Sequence, residues 1–209
     1  MNEKKIPKSV IERIPLYADY LNKLIKNNIE MISSTTISQE IGLGEVQVRK
    51  DLNFISGKGK PKIGYNTIDL RNDVEELIHS EKYTNVAIVG AGKIGEALAN
   101  YSGFKESGFN ILAIFDNDKS KIGKNISGKP VLSDEELNNY CTENNIEMIM
   151  LAVPSSEAQN ICDNIKNDVV KGILNFTNKK LNVNENICIR NVDIASLLVM
   201  LAVEIRNKK

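Results

Sequence analysis

Apolar residues recur along this chain in two different rhythms. Up to about residue 80 the spacing is helical. Between Pro7 and Lys26 the residues Ile14, Tyr17, Leu21, Leu24 and Ile25 form a stripe, with Pro7 suited to a helix start and Pro15 forcing a kink or a fresh start. Thr36 and Gln39 stand at capping-box spacing, which predicts a short helix from Ile37 to Ile41, and Gly42-Leu43-Gly44 supplies a turn. A further helix is predicted from Glu45. It places Val48, Leu52 and Ile55 on one face and leaves Gln47, Arg49, Lys50 and Asn53 for solvent or a partner. Two short helices joined by a glycine-containing turn predict a helix-turn-helix, whose second helix enters a major groove. The following Gly57 to Tyr65 segment alternates small residues with Lys58, Lys60 and Lys62, as a hairpin wing contacting phosphates does. From Thr67 to Ser80 an acidic amphipathic segment predicts a connecting helix. His79, the only histidine, has no evident orienting partner and is expected to be an exposed linker residue.

Beyond residue 80, β-branched runs alternate with helical segments. Strands are predicted at Val86–Val89, Asn110–Phe115, Lys129–Leu132, Glu147–Val153, Gly172–Phe176 and Ile187–Ile189. Helices are predicted from the Ser133 cap to about Glu143 and from Ser155 to Lys166. This alternation predicts a doubly wound sheet with ligands at the C-terminal ends of its strands. The first strand runs into Gly90-Ala91-Gly92-Lys93-Ile94-Gly95, a Gly-x-Gly-x-x-Gly motif followed by a helix. In that context Gly90 serves the tight turn, Gly92 the approach of a pyrophosphate and Gly95 close helix–strand packing. The helix start at Lys93 offers free N–H groups to an anion. Asp116, ending the next strand, stands where an acidic residue meets the adenosine ribose. The ends of two later strands add Val153, Pro154, Asn175 and Phe176 as candidate cofactor contacts. The last helix, Val192 to Arg206, is apolar almost all round and must be buried, in its own core or more simply in a second subunit.

Composition adds limits. The 209 residues suffice for one large or two small domains with a proper core. No apolar run reaches the length of a membrane span and the N-terminus lacks a signal-peptide core, so a cytoplasmic, non-membrane protein is expected. Cys141, Cys162 and Cys188 suggest neither a disulfide framework nor a metal site and are expected to be buried small hydrophobes. The net charge of zero conceals an asymmetry: residues 1–65 hold nine lysines and two arginines against seven acidic residues, an excess of +4. That excess favours an anionic partner for the N-terminal part.

With these residues in view, the chain resembles the Rex family of redox-sensing transcriptional repressors. The resemblance rests on Arg13-Ile14-Pro15-x-Tyr17, Ser33-Ser34, Gln47-Val48-Arg49-Lys50-Asp51-Leu52, Gly64-Tyr65, the glycine motif, Phe115-Asp116, Val153-Pro154, Ala158-Gln159, Asn175-Phe176 and Asn191-Val192-Asp193. It implies an N-terminal winged helix over residues 1–80 and a Rossmann NAD(H)-binding domain over 81–191. Residues 192–209 would then be a dimerisation helix exchanged between the subunits of a homodimer. It implies a repressor that leaves palindromic, A/T-rich operator DNA when NADH binds, NAD⁺ being the competing form. By position, Asp116 would hold the adenosine ribose and Tyr101 would lie near the nicotinamide. Arg13 and Asp193 would exchange partners between the DNA-bound and NADH-bound states, with Tyr101 as the alternative partner of Asp193. A carboxylate that changes hydrogen-bond partners is a reasonable two-state element.

Two other classes are compatible with the glycine motif. Tyr101-Ser102-Gly103-Phe104-Lys105 has the Tyr-x-x-x-Lys spacing of short-chain dehydrogenases, so an NAD-dependent oxidoreductase is the alternative. However, the pair follows the glycine motif directly, and no other acid–base or metal constellation accompanies it, whereas hydride transfer needs a group to move the substrate's proton. A binding module for CoA or another nucleotide is the third reading, against which the helix-turn-helix pattern argues. No catalytic residue is expected.

Overall fold

The structure, a computed structural model, describes residues 6–78, 83–166 and 168–208. The chain divides after Glu81 into two compact units. His79 lies outside the described residues.

The N-terminal unit contains α1 (Lys8–Ile11), α2 (Ile14–Lys26), β1 (Met31–Ile32), α3 (Ser34–Ile41), α4 (Glu45–Ile55), β2 (Tyr65–Asn66) and α5 (Thr67–Ile78). Pro15 begins a helix afresh: it occupies the first turn of α2, where its missing N–H costs nothing. The α3 cap differs from the expectation. Ser33, not Thr36, is the N-cap, its hydroxyl accepting from the Thr36 N–H at 3.0 Å, so the helix begins at Ser34. Gly42 ends α3 at φ 69°, a left-handed conformation that glycine adopts without strain, and the chain turns directly into α4. Val48 and Leu52 of α4 meet Tyr17, Leu21, Ile37, Leu70 and Val74 in one core. The wing is smaller than a full hairpin. Lys60 and Gly64 exchange backbone hydrogen bonds, each 2.9 Å, around Pro61-Lys62-Ile63, and β2 then pairs antiparallel with β1.

The second unit contains β3 (Thr84–Val89), α6 (Lys93–Asn100), α7 (Gly103–Glu106), β4 (Phe109–Asp116), β5 (Asn125–Ile126), β6 (Lys129–Ser133), α8 (Leu137–Glu143), β7 (Ile146–Leu151), α9 (Ala158–Asp163), β8 (Gly172–Asn175), β9 (Cys188–Asn191) and α10 (Ile194–Asn207). Its sheet runs β5-β6-β4-β3-β7-β8-β9, and every neighbouring pair except β5/β6 is parallel. Counted among the parallel strands alone, this is the 3-2-1-4-5-6 order of a Rossmann sheet, with the switch point beside β3. Alternate residues of β3 feed the two faces. Ala87 and Val89 pack with Leu137, Cys141, Ile161 and Cys162, and Val86 and Ile88 pack with Ala99 of α6.

Residues 176–187 pass from β8 to β9 without a helix. Two sequence expectations need correction. The helix after β7 is confined to Ala158–Asp163 rather than running from Ser155 to Lys166. Cys188 is exposed, because its strand forms the edge of the sheet, whereas Cys141 and Cys162 are buried as expected.

Candidate functional site

The glycine motif lies at the C-terminal end of β3, at the switch point of the sheet. Gly90 has φ 109°, and a Cβ there would collide with the Ala152 carbonyl. Its N–H donates to the Phe115 carbonyl at 2.7 Å, fixing the turn across β4. A Cβ at Gly95 would overlap the Gly90 carbonyl, which is the close helix–strand packing expected. Gly92 differs from both: a Cβ there would meet nothing within 4 Å. It is the N-cap of α6 with no side-chain cap, so first-turn N–H groups of Lys93, Ile94 and Gly95 face outward beside a positive dipole end. An open backbone approach and uncapped amides suit a diphosphate.

Beside this loop is a cleft of about 300 Å³ lined by Gly90, Gly92, Asp116, Lys121, Val153 and Pro154, among others. The Asp116 side chain is 8% exposed and already engaged: Oδ2 accepts the Ala91 N–H at 2.7 Å and an Lys121 Nζ hydrogen at 3.1 Å, and Oδ1 accepts the Asp118 N–H at 2.8 Å. Asp116 therefore pins the middle of the glycine loop as well as facing the cleft. Asp118 is held below the usual carboxylate range by hydrogen bonds from Ser120. The cleft thus brings a carboxylate, the uncapped start of α6 and the segment that follows β7 to one place.

Other expected contacts stand elsewhere. Asn175 is fully buried, and its side chain is taken up by Thr177, Lys179 and Asn191. Phe176 packs among the apolar residues on the α6 face of the sheet. Tyr101 lies at the opposite end of α6 from the glycine loop, roughly 12 Å along an eight-residue helix. It is exposed, meets Phe104 edge-on at 5.0 Å and lines a separate hollow with Lys105 and Lys129. Asp193 caps α10, accepting from the Ser196 N–H at 2.9 Å and the Ser196 hydroxyl at 2.6 Å, which hold its carboxyl below the usual range.

In the N-terminal unit, α4, the start of α3 and the wing surround a depression of about 740 Å³. Arg49, Lys50, Lys60 and Lys62 line it together with Asn53 and the Ser33–Thr35 segment, and no carboxylate does. Four cations without an acid define a polyanion surface. Gln47 is exposed on α4, outside this lining. Lys58 pairs with Asp73 of α5 at 2.5 Å, which raises its pKa, and stands outside this lining.

Arg13 precedes α2 and is bound to Asp51, on the buried face of α4, by Nε–Oδ2 and Nη2–Oδ1 contacts of 2.7 and 2.9 Å. The Tyr17 hydroxyl also donates to Asp51 Oδ2 at 2.7 Å. The hydrogen bond to Asp51 raises the Arg13 pKa, and burial pushes the Tyr17 hydroxyl well above its usual value. The role of Asp51 was not anticipated. Its signal was an acid in the Val48–Leu52 apolar stripe, which demands a buried cation.

Comparison with known proteins converges with this geometry. The family model described as "CoA binding domain" matches residues 81–179, and that described as "Putative DNA-binding protein N-terminus" matches residues 5–53. A protein of Thermosipho africanus (strain TCF52B) named redox-sensing transcriptional repressor Rex is 42% identical over 192 residues, 92% of each chain. The crystal structure of the Rex-family repressor RSP in complex with β-NAD⁺ and operator DNA superposes at a TM-score of 0.90, with 32% identity, over 99% of this chain and 95% of that one. RSP in complex with β-NADH gives 0.85 at the same identity, over 99% and 97%. The two units are thus a winged helix and a Rossmann domain, and the chain belongs to the Rex family of redox-sensing transcriptional repressors.

Proposed function

We propose that this chain is an NAD(H)-responsive repressor that binds palindromic operator DNA and leaves it when NADH binds. One observation carries the reading: a single chain bears both an acid-free cationic surface on a helix-turn-helix and an open diphosphate cradle at a Rossmann switch point. Neither site holds an acid–base constellation suited to hydride transfer, and among the described residues no cluster of metal ligands occurs. The reading is a regulator, in keeping with the relatives named as transcriptional repressors. Among the described residues no helix is long and apolar enough to cross a membrane, and a cytoplasmic setting fits a DNA-binding protein.

The working unit is a homodimer. Eight large apolar residues of α10, from Ile194 to Ile205, are each 49–64% exposed, a surface that water does not tolerate uncovered over a whole helix. Exchange of this helix between subunits covers it, giving residues 192–209 the role of a dimerisation segment next to a winged helix in 1–80 and a cofactor domain in 81–191. Arg49, Lys50, Lys60 and Lys62 contact phosphate and base edges, and Gln47 suits adenine. The glycine loop, Asp116 and the Val153-Pro154 edge hold the dinucleotide. Asp193, which caps α10, is the carboxylate that exchanges between Arg13 and Tyr101 as the state changes. NADH stabilises a dimer whose two winged helices no longer match the half-site spacing, and by reciprocity operator DNA weakens NADH binding by the same factor.

The test is fluorescence anisotropy of a labelled A/T-rich palindromic duplex at one fixed salt concentration, titrated with NADH, NAD⁺ and CoA. Release by NADH at concentrations where NAD⁺ and CoA release little is the expected result. DNA binding indifferent to all three would overturn the linkage. NADH binding with no DNA binding would restore the oxidoreductase reading.

A further inference from the structure

Asn175 has an exposure of zero and uses every side-chain hydrogen-bonding group within the chain. Its Oδ1 accepts from the Thr177 N–H at 2.9 Å and the Thr177 hydroxyl at 2.7 Å. Its Nδ2 donates to the Lys179 carbonyl at 3.0 Å and to Asn191 Oδ1 at 2.8 Å. Its backbone carbonyl accepts the Val192 N–H at 2.8 Å. Nothing is left for a ligand.

These bonds lie along one line across the sheet. Leu151, Asn175 and Asn191 share a rung at the C-terminal ends of β7, β8 and β9. On one side, the Phe176 N–H donates to the Leu151 carbonyl at 2.9 Å and the Ala152 N–H to the Val89 carbonyl at 2.8 Å, which joins the rung to the glycine turn. On the other side, Asn191 and Val192 immediately precede Asp193, the cap of α10. Because no helix separates β8 from β9, this paired edge is a direct structural connection from the cofactor cleft to the start of α10.

Resting on the function proposed above, we infer that Asn175 and Asn191 are positioning residues that couple occupation of the dinucleotide cleft to the placement of α10. The cleft is lined by Ala152, Val153 and Pro154, which continue β7 directly from Leu151, the rung partner of Asn175. A displacement of that strand end is carried to Asn191 by a side-chain hydrogen bond and to Val192 by a backbone one. The side-chain bond fixes Asn191 relative to β8, so the direction of the chain entering α10 follows β8. Without it, residue 191 loses its side-chain tie to the end of β8, and residues 191–193 can pivot about the backbone pairing. The amide is the suitable group for this position: one buried side chain must donate twice and accept twice, which neither a carboxylate nor a hydroxyl does.

The experiment compares Asn191→Ala with Asn191→Asp, which keeps the acceptor for Asn175 Nδ2. NADH affinity is measured with and without saturating operator DNA, and amide hydrogen exchange is followed at Val192 and Ser196. In the parent protein NADH slows exchange at both amides. In Asn191→Ala the DNA-free NADH Kd stays within about twofold of the parent, while the factor by which DNA weakens NADH binding drops at least fivefold and the NADH-dependent protection disappears. Asn191→Asp behaves as the parent. A full coupling factor in Asn191→Ala, or equal loss in both variants, overturns the inference. A parent protein without any coupling overturns instead the proposed function on which it rests, so the two failures are distinguishable.

Discussion

Arg13 and Asp51 share a two-point ion pair that fastens the beginning of α2 to the buried face of α4, with side-chain exposures of 14% and 6%. Removing the cation leaves Asp51 buried with only the Tyr17 hydroxyl, and an uncompensated charge of this kind costs about 3 kcal/mol. Arg13→Ala is therefore expected to lower unfolding stability by about that amount, measured by chemical denaturation, and to weaken operator binding through a loosened α4. Arg13→Lys retains the charge but not the planar fork, and loses less. A stability unchanged in Arg13→Ala would show that the pair does not hold the helix.

Two glycines of one motif separate packing from binding. In Gly95→Ala the new methyl meets the Gly90 carbonyl, so the variant is expected to lose 1 to 3 kcal/mol, roughly the cost of overpacking, together with nucleotide binding. In Gly92→Ala the methyl meets nothing and the loss of stability stays within about 1 kcal/mol, the scale of a cap change. Its NADH affinity nevertheless falls by at least about tenfold, because the methyl occupies the path of the diphosphate. Thermal unfolding and NADH titration of both variants check the contrast.

Much of this was legible in the sequence for a physical reason: a helical stripe and a buried parallel strand are local patterns, and the glycine motif is a local turn. Val86–Val89, Asn110–Phe115 and the α4 face with Val48 and Leu52 all fell where periodicity placed them. Partners distant in sequence did not. The Lys58–Asp73 pair spans fifteen residues and the Asn175–Asn191 bond sixteen, and no local pattern marks either partner. Ser33 displaced Thr36 as the α3 cap because several hydroxyls in a row satisfy the same pattern, and only backbone geometry chooses among them.

The wing lysines are unequal in the structure and should be unequal in solution. Lys50, Lys60 and Lys62 line the acid-free depression, so each Ala substitution is expected to reduce the slope of log K against log salt for operator binding by about 1. Lys58 is bound to Asp73, and Lys58→Ala is expected to leave the slope unchanged. Salt titrations by anisotropy distinguish them. A loss with Lys58→Ala equal to that with Lys60→Ala would return Lys58 to the DNA surface.

Burial pushes the Cys141 and Cys162 thiols up to about 11, while Cys188 is exposed. A folded-state pKa above the unfolded value of about 8.5 contributes stability that is complete below that value and lost as the pH rises towards the folded one. Stability is thus expected to decline from about pH 8.5 towards 11, with the raised Tyr17 hydroxyl adding to the decline at its upper end. Under native conditions at pH 7.5 a thiol reagent should modify one cysteine per chain rapidly and the other two only after unfolding. Mass mapping of the labelled site identifies it; rapid labelling of Cys141 or Cys162 would contradict their burial.

The helix α10 offers the sharpest separation between what one chain needs and what the dimer needs. None of its described residues is buried within the chain, so a charge placed on it stays largely hydrated in a single chain. Leu198, 64% exposed, can therefore become Asp at little direct cost to either unit. In an interface the same carboxylate would lose its hydration among apolar side chains, a penalty of several kcal/mol that a dimer does not absorb. Leu198→Asp is expected to be a folded monomer by light scattering, with an unfolding midpoint that no longer rises with protein concentration as the parent's does. It should retain binding of the adenosine half of the cofactor, measured with ADP, because Asp116 and the glycine loop belong to the same chain. Operator affinity should collapse, since one winged helix reaches only one half-site. A Leu198→Asp protein that remains a dimer would move the dimer contact away from α10 and leave the exposure of this helix to be met by another surface.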